Sequence, residues 1–151
     1  MEWYSIEKFN FKLEKVLDYK VTVESYKKSN YGKAKKTLAT EEDKLEKCCS
    51  FKENLKKERN MAINNISVGN FKLYNDYINE VDKTIEQQKE KVENIEKKVE
   101  VAKDELIVAS KDKRIFQKLK ENQYDEYLFT LKKLDDKLTD SIVSFRVGTR
   151  Q

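Results

Sequence analysis

The side chains best suited to covalent or metal chemistry are two adjacent cysteines, Cys48 and Cys49, in a sequence with no histidine. A metal site needs spaced thiolate or imidazole ligands, and a cysteine nucleophile needs a general base within reach. Adjacent cysteines also make a poor disulfide, which favours a reducing cytoplasm. Carboxylates are plentiful, but solvated carboxylates lack the burial that tunes a pKa for acid–base work. The sequence therefore predicts no catalytic residue, no metal site, no cofactor and no small-molecule substrate.

The composition points to helices rather than to a compact globule. The chain has 151 residues, of which 40% are charged, with no proline and only three glycines. Its mean hydropathy of -0.90 would suit a disordered chain if the apolar residues were scattered. No apolar run is long enough for a membrane span, and the N-terminal segment has no signal-peptide core. Membrane contact is therefore expected only through protein partners.

A long apolar stripe between residues 71 and 116 indicates the element that organises the chain. Its members recur at alternating intervals of three and four, which is the seam of a left-handed coiled coil. Only two of the fourteen positions, Gln88 and Lys113, are polar. The fourteen are Phe71, Tyr74, Ile78, Val81, Ile85, Gln88, Val92, Ile95, Val99, Ala102, Leu106, Ala109, Lys113 and Phe116.

The N-terminal half carries the same rhythm in two phases. One phase ends at Val23 and the other begins at Tyr31, offset by one residue, which predicts a stutter in the supercoil. Gly32 lies in this region, so a kink between about residues 29 and 40 is left open. A second offset is expected between Phe116 and Tyr127, where the stripe resumes.

Residues 67–70, with sequence SVGN, form the one clear turn signal in the middle of the chain. Gly69 suits the left-handed end of a helix, and Asn70 suits the N-cap of the next. The predicted fold is all-α: two long helices forming an antiparallel coiled-coil hairpin, as a single domain. Helix one is expected over about residues 4–66, the turn over 67–70, and helix two over about 70–145.

Aromatic and apolar residues off the seam are the candidates for partner contacts. Phe51, Leu73 and Tyr77 lie near the turn, where they either broaden the small core or form an exposed docking patch. At the open end, Trp3 and Tyr4 are expected to join Phe9 and Phe11 in facing the end of helix two. That longer helix should overhang, leaving three side chains for another protein: Leu138, Ile142 and Phe145.

Five lysines and no acidic residue lie between Glu24 and Glu41. Such a run is usually a solvated helix face, and its functional alternative is docking to an acidic surface. Nucleic acid is less favoured, because neither an arginine cluster nor interleaved aromatic residues accompany the lysines. The five are Lys27, Lys28, Lys33, Lys35 and Lys36.

Three segments, in this order and at this spacing, resemble the flagellar export protein FliJ family. Together with the size and the turn position, the resemblance covers nearly the whole chain. The segments are Phe9-x-Phe11-x-Leu13-x-x-Val16-Leu17-x-x-Lys20; Tyr74-Asn-Asp-Tyr77-Ile78 followed by Ile85-Glu86-Gln87-Gln88; and Ala109-Ser110-Lys111-Asp112-Lys113-Arg114 followed by Phe116-x-Lys118-Leu119-Lys120.

The resemblance implies a non-enzymatic, cytoplasmic component of the flagellar type III export apparatus, peripheral at the inner face of the cell membrane. It implies a stalk that couples the export ATPase ring to the cytoplasmic domain of the export-gate membrane protein and assists export chaperones. The gate-facing surface would comprise Cys48, Phe51, Leu55, Tyr77 and Val81. The ATPase-facing end would comprise Phe9, Phe11, Leu138, Ile142, Phe145 and Arg146. The family often carries an arginine-bearing C-terminal tail, and here only Arg146 and Arg150 match it.

Two alternatives remain at the level of sequence. One is a generic coiled-coil adaptor or tether that pairs two chains into a dimeric rod through the same stripes. The other, less favoured, is a lysine-rich helical arm that binds nucleic acid and loses its affinity as salt rises.

Overall fold

In the computed structural model, residues 8–65 and 67–149 are described, and they contain two helices. The first, α1, is Glu14–Ala62, and the second, α2, is Val68–Gly148. No strand occurs in these ranges. The helices pack against each other as a hairpin, which confirms the predicted all-α fold. The residues fall into two compact units: a terminal unit (8–24 with 108–149) and a central unit (25–65 with 67–107).

In the central unit the helices run antiparallel, because contacts on α2 move backwards as α1 advances. Lys27 pairs with Glu105 at 2.6 Å, Glu41 contacts Gln88, and the Arg59 guanidinium donates to the Asn75 side chain at 2.8 Å. The core between them is a thin apolar seam. It contains the buried residues Leu55, Ile78, Val81 and Ile85, with Leu45, Cys48 and Cys49 packed against them.

The terminal unit has the same antiparallel arrangement with fewer apolar contacts. Lys120 contacts the Glu14 carboxylate at 2.7 Å, and Lys20 contacts Asp112 at 3.0 Å. Its buried apolar residues are Phe11, Leu17 and Ala109. Charged pairs join the helices in both units, but the terminal unit has fewer buried apolar residues than the central unit.

The seam predicted from the α2 stripe is confirmed, since all fourteen of its positions are buried or half-buried. The predicted stutter in α1 is wrong. Buried or half-buried residues of α1 recur every three or four positions through Lys20, Glu24 and Lys27, up to Tyr31. The offset after Phe116 is also wrong, because Lys120 and Gln123 are half-buried and keep the spacing up to Tyr127. The predicted stripe included Lys20 but skipped the polar seam positions Glu24, Lys27, Lys120 and Gln123.

The N-terminal boundary of α1 differs from the expected start near residue 4. Residues 8–13 are not helical, and the amide of Glu14 donates to the Phe11 carbonyl at 3.1 Å in the turn before the helix. On a helix, Phe9 and Phe11 would point about 200° apart. The irregular backbone lets both pack inward. Residues 4–7, including Tyr4, and also Trp3 lie outside the described residues.

The turn is capped by a different residue from the one expected. The Ser67 hydroxyl accepts a hydrogen bond from the Asn70 amide at 3.4 Å, the geometry of an N-cap. This cap starts α2 at Val68, so Gly69 is an ordinary helical residue, and no described glycine has a positive φ. The predicted roles of Gly69 as a left-handed terminator and of Asn70 as the cap are therefore wrong. In the region near residues 29–40, where a kink was left open, α1 is not broken.

Candidate interaction surfaces

An exposed aromatic pair lies on the central unit, with one ring from each helix. The centroids of the Phe51 and Tyr77 rings are 6.0 Å apart and the rings are nearly perpendicular, at 84°. Their residues are 44% and 51% exposed. Edge-to-face packing holds both rings in place while leaving apolar area in contact with water. This pair can therefore offer a preorganised anchor to another protein.

Beneath this pair lie the other three residues assigned to the gate-facing surface. Leu55 is only 7% exposed, Val81 is also buried, and Cys48 is half-buried against the same cluster. Buried side chains cannot touch a partner while the hairpin stays closed. The structure thus brings all five residues together, with Phe51 and Tyr77 outermost and the others supporting them.

In the terminal unit, the two N-terminal aromatic residues pack inward. The Phe9 ring lies edge-on to Tyr124 at 5.2 Å and tilted against Tyr127 at 5.7 Å. Phe11 is 4% exposed. Both residues therefore join the start of the chain to α2 rather than facing solvent.

The last five turns of α2 form the second exposed surface. Every residue from 132 to 149 is exposed, including Arg146. Leu138, Ile142 and Phe145 share one face, and Phe145 is 73% exposed. Leu134 and Leu138 also line a groove of about 740 Å³ along this helix. The assigned residues thus separate into a packed pair, Phe9 and Phe11, and an exposed helical segment.

A second apolar strip on this segment escaped the sequence analysis. Phe129, just before the segment, and Val143 and Val147 within it are exposed and lie on roughly the opposite side of α2 from Leu138 and Phe145. The Lys133 ammonium lies 4.6 Å from the centroid of the Phe129 ring. A helix with apolar residues on both sides is typically enclosed by other elements. Plotting every apolar residue after Phe116 on a helical wheel, not only the seam positions, would have found this strip.

The one buried carboxylate among the described residues is Glu41, in the seam of the central unit. It is 6% exposed and accepts hydrogen bonds from Lys44 at 2.8 Å and Gln88 at 2.7 Å, with Lys91 at 3.0 Å. Donation from Lys44, followed by Gln88 and Lys91, lowers the pKa of Glu41 from 4.5 to about 2. A carboxylate so held stays ionised near neutral pH, so it suits a fixed structural charge rather than proton transfer.

Over residues 8–65 and 67–149, no group of three histidine, cysteine, aspartate or glutamate residues is placed to hold a metal ion. Neither described helix contains a stretch apolar and long enough to cross a bilayer. Both cysteines are free and half-buried.

These features define a class of protein: a two-helix hairpin with exposed aromatic and apolar side chains. The family model described as "Flagellar FliJ protein" matches residues 9–151, and the chain belongs to this family. It is therefore a flagellar export-associated protein that acts with components of the export apparatus. Neither a curated protein nor a solved structure matches the chain.

Proposed function

We propose that this chain, acting as a single hairpin domain, is a non-enzymatic stalk that couples the flagellar export ATPase ring to the export gate. In this proposal it works in the cytoplasm, held at the inner face of the cell membrane by its protein partners, and it assists export chaperones. The observation that carries the proposal is the exposed end of α2, residues 132–149, on a chain of the FliJ family.

The two apolar strips at this end of α2 support the proposal that the partner is ring-shaped. Ile142 and Phe145 lie on one side, whereas Val143 and Val147 lie on the other. A flat partner would cover one strip and leave the other in water, but a ring that surrounds the helix covers both. The ATPase contact is therefore assigned to this helical segment, with Phe9 and Phe11 fixing its base.

For the gate, the proposed contact is the Phe51–Tyr77 pair. Rigid aromatic anchors lose little entropy on binding, and they commonly dominate the energy of interfaces. Leu55, Val81 and Cys48 would act by holding this pair in position. The same surface is proposed as the place where chaperones compete with the gate, because a coiled coil has few other apolar patches.

The ATPase contact is tested with the double variant Ile142→Asp/Phe145→Asp. Two buried charges in an apolar interface should weaken binding to the ATPase by roughly a hundredfold or more, while the circular dichroism spectrum stays helical. The matched control is Val101→Asp/Val108→Asp, which adds the same charge and removes two exposed apolar side chains of α2 outside the segment. Equal affinities for the two double variants, measured by calorimetry, would rule this surface out.

The gate contact is tested separately with Phe51→Ala and Tyr77→Ala. Each should weaken binding to the cytoplasmic domain of the gate protein roughly tenfold or more, without changing ATPase binding. Leu73→Ala, another exposed apolar residue near the turn, is the control. If all three variants bind the gate as the unmodified chain does, the aromatic pair is not the contact.

A further inference from the structure

One exposed face of α1 carries its charges in two blocks. The first block is basic, with Lys28, Lys35 and Lys36, and the second is acidic, with Glu42 and Asp43. These residues are all exposed and fall within about a third of the helix circumference. Ala39 lies between the blocks. We name this face, from Lys28 to Glu46, the charge strip.

Of the charges in the strip, Asp43 pairs with Lys47 one turn further along α1 at 2.6 Å. Some exposed lysines of α2 pair in the same way, as Lys97 does with Glu93 and Lys83 with Glu80. Among the described residues, no carboxylate lies within ion-pair distance of Lys28, Lys35 or Lys36. Like charges one turn apart repel, so this segregation weakens α1 on its own. It leaves the strip suited to a partner that brings opposite charge.

The residues near the centre of the strip also have small side chains. Ala39 has a single methyl group, and a Cβ placed at Gly32 would meet nothing within 4 Å. The hairpin's own packing therefore does not require Gly32, although a glycine inside a helix is destabilising. Small residues between long charged ones allow another helix to approach closely.

The order of charges repeats symmetrically about Ala39. Lys36 and Glu42 lie three residues on either side of it, and Lys35 and Asp43 lie four residues on either side. If a second α1 is laid antiparallel across the strip with a twofold axis at Ala39, Lys36 meets Glu42 of the other copy. Lys35 meets Asp43 of the other copy, which would then contact it as well as its own Lys47. Because the two copies are related by a twofold axis, each such ion pair occurs twice in the interface.

We propose that the charge strip is the contact surface for a second copy of this chain, packed antiparallel about a twofold axis at Ala39. An anionic lipid surface or a nucleic acid would attract the basic block but repel Glu42, Asp43 and Glu46. The second copy satisfies both blocks. The contact leaves each hairpin closed, so it differs from a rod in which two chains share one seam, and it does not depend on the proposed export function.

The first measurement is sedimentation equilibrium of the unmodified chain over a range of concentrations. Because the contact consists of exposed ion pairs, we expect a weak monomer–dimer equilibrium, with a dissociation constant on the order of 100 µM at low salt. Raising the salt to about 0.5 M should weaken it roughly tenfold, because the Debye length shortens. A chain that stays monomeric at low salt up to about millimolar concentration overturns the proposal.

The second measurement is a charge swap. Lys35→Glu/Lys36→Glu makes the strip wholly acidic around its centre, and Glu42→Lys/Asp43→Lys makes it basic. Each double variant alone should be monomeric, whereas an equal mixture should form a heterodimer at least as tight as the original dimer, since all the pairs are restored. All four positions are exposed, and circular dichroism checks that both variants remain helical.

A matched control removes the effect of net charge. Lys97→Glu/Lys98→Glu changes the charge by the same amount on exposed residues of α2 and should leave dimerisation unchanged. If this control abolishes the dimer as effectively as Lys35→Glu/Lys36→Glu, or if the mixture of swapped variants stays monomeric, the strip is not the interface.

Discussion

Among single residues, burial separates those that hold the hairpin together from those that it displays. Leu55 and Phe51 are one turn apart on α1, and both were assigned to the same partner surface. Leu55 is covered by Ile78, Val81 and Ile85, whereas Phe51 faces solvent beside Tyr77. Substitution of Leu55 is therefore expected to affect stability, whereas substitution of Phe51 is expected to affect partner binding.

We expect Leu55→Ala to lower the free energy of unfolding by about 2–5 kcal/mol, because it removes buried methyl groups and leaves a cavity. Phe51→Ala should cost less than about 1 kcal/mol, since nearly half of that residue is already in water. Urea titrations followed by circular dichroism measure both values. A similar loss in the two variants would mean that Phe51 is part of the core.

Glu41 makes stability depend on pH in acid. Its pKa is about 2 in the folded chain, below the ordinary 4.5. The ionised form is thus favoured by folding, so its contribution is complete above about pH 4.5 and is lost as pH falls towards 2. We expect Glu41→Gln to be less stable than the unmodified chain at pH 7 and to lose less stability between pH 5 and pH 2.5. The free energy of unfolding is measured by urea titration at several pH values in that range. If it falls with pH equally steeply in both proteins, Glu41 does not have this role.

At the scale of the helices, the two units differ in what fills the seam. Both units have charged seam positions, Lys27 and Glu41 in the central unit and Lys20, Glu24 and Lys113 in the terminal unit. The cluster of four buried apolar residues, however, lies in the central unit. Glu24 accepts hydrogen bonds from Ser110, at 2.8 Å, and from Lys113. Such pairs offset the cost of burying charge but add little net stability.

Amide hydrogen exchange should therefore be faster in the terminal unit. We expect protection around Leu17 and Ala109 to be lower by roughly tenfold or more than protection around Leu55 and Ile85, because fewer apolar contacts oppose local opening. Mass spectrometry of peptides from each unit measures this. Equal protection in both units would show that the ion pairs stabilise the seam as well as the apolar residues do.

These polar seam positions also mark the limit of what the sequence could reveal. The α2 seam was predictable because its apolar residues repeat over six heptads, and Lys113 could be interpolated between Ala109 and Phe116. The spacing also placed Lys20 on the stripe, but Glu24 and Lys27 could not be assigned, because a charged residue at a seam position looks the same as one on a wet face. Only the partner helix, which supplies Asp112, Lys113 and Glu105, distinguishes the two cases.

For the candidate surfaces, too, the exposure of some residues was predictable from the sequence and the burial of others was not. The exposure of Leu138, Ile142 and Phe145 followed from helix lengths, because no residue of the first helix remained to cover them. The burial of Phe9 and Phe11 did not, because it depends on an irregular segment before Glu14 that helical periodicity does not represent. The cap at Ser67 was missed because two cap residues, Ser67 and Asn70, compete within four positions.

For the molecule as a whole, the decisive alternative is whether each chain folds back on itself or shares its seam with another chain. Both arrangements bury the same stripes, so helicity alone does not distinguish them. The proposed stalk is a chain that folds back on itself, so that one chain supplies both helices along the whole seam.

Carbodiimide cross-linking of the native ion pairs tests this directly, because the reagent joins amines and carboxylates already in contact. Equal amounts of ¹⁴N- and ¹⁵N-labelled chain are unfolded together, refolded and treated. Lys20–Asp112, at 3.0 Å, and Lys27–Glu105, at 2.6 Å, should cross-link only within one isotope, since each hairpin closes on itself. Lys47–Asp43, within one turn of α1, serves as the control, because it stays within one chain in either arrangement. Cross-links of mixed isotope at the two long-range pairs, in about half of the product, would mean that the seam joins two chains.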